Sequence, residues 1–164
     1  MRAKNNFHKK KQEEAFTLVE VMVTVAIVGT LSAIALPKFV NQICKTKQYE
    51  AKATIAEIMT HTAAYNDEYG LPATGWSDLD EMASIMTSTG SATGSNFSDI
   101  TLPGKEYKLN GEITNNKYIF SARCVGSCPS HYNVIGCINV ATGASNIQLG
   151  KHGQGVLKSD LTCP

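Results

Sequence analysis

The sequence predicts an α+β chain: a long N-terminal helix, apolar in its first half and amphipathic in its second, packed on a C-terminal antiparallel sheet. Three observations carry that expectation. From Phe16 to Pro37 the chain is apolar for about 20 residues, long enough for a helix that crosses a bilayer. From Cys44 on, Ala51, Ile55, Ile58, Thr62, Tyr65 and Tyr69 recur at alternating steps of four and three, which marks one face of a helix. After Pro103 the apolar period drops to two, the pattern of half-buried strands.

The N-terminal end is read first from its charge. The 164 residues carry a formal net charge of +1, unevenly spread. Arg2, Lys4, Lys9, Lys10 and Lys11 stand against Glu13 and Glu14, so residues 1–15 hold net +3 and the remainder is near −2. Basic residues beside an apolar helix stay on the cytoplasmic side, so this charge is a topology signal. A near-neutral remainder argues against strong nonspecific nucleic-acid binding. One domain fits the length, with a modest core beyond about residue 70.

Glu20 sits near the start of the apolar run. A carboxylate at the centre of a spanning helix costs roughly 2.5–3.5 kcal/mol, so this one requires a partner. An uncleaved membrane anchor would explain the run, and so would a secretory signal cut after Ala33-Ile34-Ala35. The run is longer than the roughly 7–15 apolar residues of a secretory signal, and Pro37 follows it closely.

The order basic leader, Ala15, Phe16, Glu20 and apolar run resembles the class III signal of type IV prepilins and their secretion-system relatives, the pseudopilins. In that family the cut falls before a Phe and the fifth mature residue is Glu. Gly29 and Pro37 also stand where many members weaken the helix, whereas Ala15 departs from the usual Gly. The resemblance implies a pilin fold, cleavage between Ala15 and Phe16 by a prepilin peptidase, and N-methylation of Phe16. It implies assembly with copies of the chain and other pilins by the pilus machinery. The chain would be a single-pass inner-membrane protein with its C-terminus extracytoplasmic, then part of an extracellular pilus. Glu20 would meet the amine of a neighbouring Phe16, because a buried charge is tolerated when paired. Val19, Val21, Val23, Ile27, Val28 and Leu31 would pack the filament core. Two other functions are weighed: a pseudopilin of a type II secretion system, and a membrane-tethered periplasmic binding domain that never polymerises. Pseudopilins are often cysteine-poor, so clustered cysteines favour a pilin.

The implied organisation is a leader at 1–15, a membrane and filament-core helix at 16–37, its amphipathic continuation at 38–70, a connecting loop at 71–104, and a disulfide-bonded sheet region at 105–164. Lys45, Lys47, Glu50, Lys52 and Glu57 give the second half of the helix its polar side, and Gly70 with Pro72 ends it. Trp76–Met82 reads as a short helical turn capped by Ser77 or Asp78, with Trp76 as a core anchor. Thr87–Ser95 has no apolar period and reads as an exposed loop.

Tyr107 and Leu109, then Tyr118, Phe120 and Ala122, then Tyr132, Val134, Ile138 and Val140 alternate with polar or opposite-face neighbours. Asn110-Gly111 and Asn115-Asn116 supply turns, giving three or four strands. One face of the sheet is expected to pack on the helix. Strands at 117–124 and 131–140 forming a hairpin would bring Cys124 beside Cys128 and leave Cys137 to meet Cys163. The second bridge closes a loop of about 27 residues, worth roughly 3–4 kcal/mol in the chain-entropy model, and should be the main hold on the tail. Cys44 is left as a small buried helix thiol. Four clustered cysteines point to an oxidising compartment. The alternative is zinc on Cys124, Cys128, His131 and Cys137, but the spacing is not that of a paired site.

The expectation is no catalytic residue, no cofactor and no metal. Gly143–Lys151 has the outline of a phosphate loop, but its glycine is misplaced and His152 stands where Ser or Thr is needed. His61, His131 and His152 are scattered and read as surface residues. Asp78, Asp80 and Glu81 read as a solvated helix start.

Overall fold

In the computed structural model the described residues are 16–151 and 153–164, so the leader, Ala15 and His152 lie outside them. The chain divides into two compact units, Met1–Val40 and Asn41–Pro164. Helix α1 (Leu18–Tyr69) contains Pro37 and supplies residues to both.

In the first unit the described part is helix whose side chains are almost all exposed. It is long and apolar enough to cross a membrane by length and composition.

The second unit has its own core. Ala51, Ile55, Ile58 and Met59 from α1 pack with Tyr107, Leu109, Tyr118, Phe120, Ala122, Val134 and Ile138 from the sheet. The helix stops where Gly70 takes a φ of 65° and donates its N–H to the Asn66 carbonyl at 2.9 Å. Of the expected helix face, Tyr69 is the outlier, 49% exposed. Gln48, which falls on the same four-and-three rhythm, is buried at 4% exposure. Its Nε2 donates to the carbonyls of Asn133 at 3.1 Å and Gly150 at 2.8 Å. A polar side chain belongs on the buried face here because it donates to the Gly150 carbonyl and adds a second donor to the Asn133 carbonyl, which already accepts the Gly150 N–H at 2.9 Å.

The sheet has five strands, one or two more than the pattern predicts. They are β3 (Ile100–Thr101), β4 (Tyr107–Thr114), β5 (Lys117–Cys124), β6 (Val134–Asn139) and β7 (Ser145–Leu149), all antiparallel and in chain order. Residues 71–104 are more than a connection. They hold helix α2 (Trp76–Asp80), the two-residue strands β1 (Met86–Thr87) and β2 (Gly90–Ser91), and β3. The expected loop at 87–95 therefore begins in a small hairpin. Thr87 Oγ1 closes it, donating to the Gly90 carbonyl at 2.7 Å and accepting from the Thr89 N–H at 3.2 Å. Neither Ser77 nor Asp78 caps α2; Gly75 occupies that position. Asp78 instead accepts from the Thr74 N–H and hydroxyl at 2.6 and 2.8 Å, fixing the approach to the helix. Trp76 is fully buried, stacks edge-on with Phe97 and donates to the Ser98 carbonyl at 2.9 Å.

Strand β6 is covered on both faces. One side meets α1; on the other, Ile135 and Cys137 pack with Val156, Leu161 and Cys163 of the tail. Asn133 grips Val156 twice, donating to its carbonyl at 2.7 Å and accepting its N–H at 2.9 Å. Lys158 of the tail also pairs with Glu112 on β4. The bridge from Cys163 is thus one of several holds on the tail, where it was expected to be the main one.

Candidate functional site

The N-terminal helix start is the first candidate. Phe16 is 86% exposed, and Val19, Val21, Val23, Ile27, Val28 and Leu31 present their side chains openly. Such a continuous apolar surface is unsustainable in water and marks a place that lipid or protein covers. Glu20 is held locally. Its Oε2 accepts from the Thr17 N–H and the Thr17 hydroxyl, each at 2.8 Å, and its own N–H donates back to Thr17 Oγ1 at 3.2 Å. This is a capping box, in which a Thr and an acid three residues on satisfy each other's backbone donors. The sequence contains the signal as Thr17-Leu18-Val19-Glu20. Both side-chain bonds fall on Oε2, which leaves the other oxygen to accept from outside.

The cysteines form a second constellation. Cys137 is joined to Cys163. The expected Cys124–Cys128 bridge is replaced: Cys128 is joined to Cys44, 84 residues away, and Cys124 is a free thiol. The cause lies in the turn after β5. The N–H groups of Val125 and Gly126 donate to the Glu106 carbonyl at 2.9 and 3.2 Å, and that of Ser127 donates to the Glu106 carboxylate at 3.0 Å. The turn so folded carries Cys128 to α1, where its Cα lies 5.5 Å from that of Cys44, within disulfide reach. Cys44 is therefore a bridge residue and not an odd thiol. Cys128 and Cys137 belong to different bridges and different apolar clusters, so the candidate zinc ligands do not converge.

The remaining candidates are dispersed. His61 and His131 are half-buried rather than on the open surface; His61 lies 3.6 Å from Glu57, and His131 rests against the Tyr132 ring at 4.6 Å. Asp80 accepts from the Ser91 hydroxyl, so its carboxylate ties α2 to β2. Ser145–Leu149, inside the phosphate-loop outline, is strand β7.

Residues 10–36 match the family model described as the prokaryotic N-terminal methylation motif. The chain is 29% identical over 117 residues to the type IV major fimbrial protein FimA of Dichelobacter nodosus, covering 65% of this chain and 69% of that one. It is 28% identical over 157 residues to the fimbrial protein EcpC of Eikenella corrodens, covering 81% and 95%. The chain is a type IV pilin-like protein. A shorter match, 39% identical over 57 residues, joins it to the type IV major pilin protein PilA of Myxococcus xanthus, over 35% of this chain and 26% of that one. No solved structure matches. The pilin-like assignment accounts for the two halves of the chain together: an apolar helix start that carries the methylation motif, and a helix-on-sheet head closed by disulfides.

Proposed function

We propose that this pilin-like chain is a structural subunit of an extracellular type IV pilus-like filament. It is cut between Ala15 and Phe16 by a prepilin peptidase, methylated at Phe16, and assembled with its copies or other pilins through α1. Before assembly the apolar helix anchors it in the inner membrane, head outward. In this reading the chain performs no catalysis and is itself the substrate of the peptidase.

The observation that carries the reading is the open apolar surface of the helix start together with one locally capped carboxylate. Lipid would satisfy the apolar residues and leave the acid costly. A neighbouring subunit offers both apolar cover and a cation, its N-terminal amine. A pair of this kind also sets register, since a subunit docked one step off leaves two bare charges.

The capping box supplies a discriminating test. Gln serves at this position of a capping box about as well as Glu, but carries no charge. Glu20→Gln therefore keeps the helix start and removes the pairing charge, whereas Glu20→Ala removes both. The assay is electron microscopy and recovery of sheared filaments, with membrane-bound subunit as control. Loss of filaments in both variants, with normal membrane levels, supports charge pairing. Normal filaments from Glu20→Gln would reduce Glu20 to a helix cap. Mass spectrometry of sheared protein should find a chain beginning with N-methyl-Phe16; an intact leader would overturn the reading.

A further inference from the structure

Three sulfur atoms in the head stand in a chain of contact. Cys44 and Cys128 are bonded and buried with Tyr132 in a small cluster of their own, and the free Cys124 packs against that cluster. The Sγ of Cys124, the Sγ of Cys128 and a carboxylate oxygen of Glu106 all lie within 4.8 Å of one another. A thiol held beside one sulfur of a disulfide is placed for exchange, which proceeds by attack of thiolate on that sulfur.

We propose that Cys44, Cys124 and Cys128 form an internal thiol–disulfide exchange relay that opens the clasp between α1 and the turn after β5. The Cys124 thiolate attacks Cys128 Sγ. The Cys124–Cys128 bond forms as the Cys44–Cys128 bond breaks, and the electron pair leaves on Cys44 as thiolate, which takes up the proton released by Cys124. One disulfide and one thiol stand on each side of the step, so neither oxidant nor reductant is consumed.

The two states differ in what holds the helix. With the Cys44–Cys128 bridge, α1 is covalently fixed to residues 125–132 at Cys44. After exchange the bridge lies wholly within the turn, and the first buried helix residue still anchored by bonds is Gln48, through the Asn133 and Gly150 carbonyls. Cys124 ends β5 opposite Tyr107, so it reaches the turn without breaking the strand pairs before it. Glu106, Tyr107 and Tyr132 stand beside the relay.

The test uses the full chain in detergent at neutral pH. Samples are held for increasing times without added thiol, quenched in acid, digested with an acid protease and mapped without reduction. The expected result is a Cys124–Cys128 peptide alongside the Cys44–Cys128 peptide, at roughly a tenth of it or more. Cys44→Ser should carry the Cys124–Cys128 bridge nearly completely, and Cys124→Ser should abolish the second peptide while keeping the first. The wild-type map does not depend on either variant folding. Cys44–Cys128 as the sole bridge of the three under all exchange times would overturn the relay. Dimers joined through Cys124 would overturn it equally, since they would show a thiol directed outward.

Discussion

A Cβ placed on Gly136 would lie 2.5 Å from Cγ2 of Ile55. The same atom would meet Met59 Sδ at 2.8 Å, so α1 crosses β6 where only a hydrogen can stand between them. Gly136→Ala must push the helix off the sheet or force Ile55 out of its rotamer, at about 1–3 kcal/mol. Thermal unfolding of the full chain should show that loss. Gly136→Ala combined with Ile55→Ala should cost less than the two singles together, because the closest clash is then gone and the flexible Met59 side chain can give way.

Gln48 offers a test of the polar contact buried under the helix. Gln48→Leu keeps the bulk and removes a donor from the Gly150 carbonyl, while the Asn133 carbonyl keeps the Gly150 N–H. The expected destabilisation is about 1–3 kcal/mol, set by the buried acceptor left behind more than by lost attraction. Denaturant midpoints for the variant and the parent measure it.

Two of the holds on the tail can be removed separately. Cys163→Ser removes a bridge whose loss costs roughly 2–5 kcal/mol. Asn133→Ala removes the paired bonds to Val156, at about 1–2 kcal/mol. Hydrogen exchange should show that each single variant leaves the amides of Leu157, Asp160 and Leu161 protected and that the double variant releases them.

Tyr118 gives the head an alkaline limit. Its hydroxyl donates to the Ala73 carbonyl at 2.9 Å, and burial, reinforced by Asp78, pushes its pKa up to about 12. Burial raises Tyr107 in the same direction. In the unfolded chain a tyrosine titrates near 10. Above that pH the folded state binds more protons than the unfolded one, so stability is intact below about 10 and falls as pH rises through about 12. Unfolding midpoints taken across that window should decline in the parent and decline less in Tyr118→Phe.

Much of this architecture is legible in periodicity. Ala51, Ile55, Ile58 and Thr62 repeat at helical steps and are buried, and Tyr118, Phe120 and Ala122 alternate and face the same core. What escapes is decided by contacts distant in sequence. Gln48 keeps the helical rhythm but is polar, and only the carbonyls of Asn133 and Gly150 make it a core residue. Strand β7 offers just Ile147 and Leu149 as apolar markers, too few to separate a strand from a loop. The partner of Cys128 is unreadable because the turn on Glu106, not chain proximity, selects it. Thr17 and Glu20 are a different case: the cap is written locally, as a Thr and an acid three residues apart at the start of the apolar run.

Each strand of the five-stranded sheet pairs only with its neighbours in the chain. Such pairings close short loops and form early, whereas the contact between Cys44 and Cys128 spans 84 residues and must wait. During that wait Cys124 and Cys128 are the nearer partners. The clasp on the helix is therefore a late fastening, closed on a sheet that has already paired strand by strand.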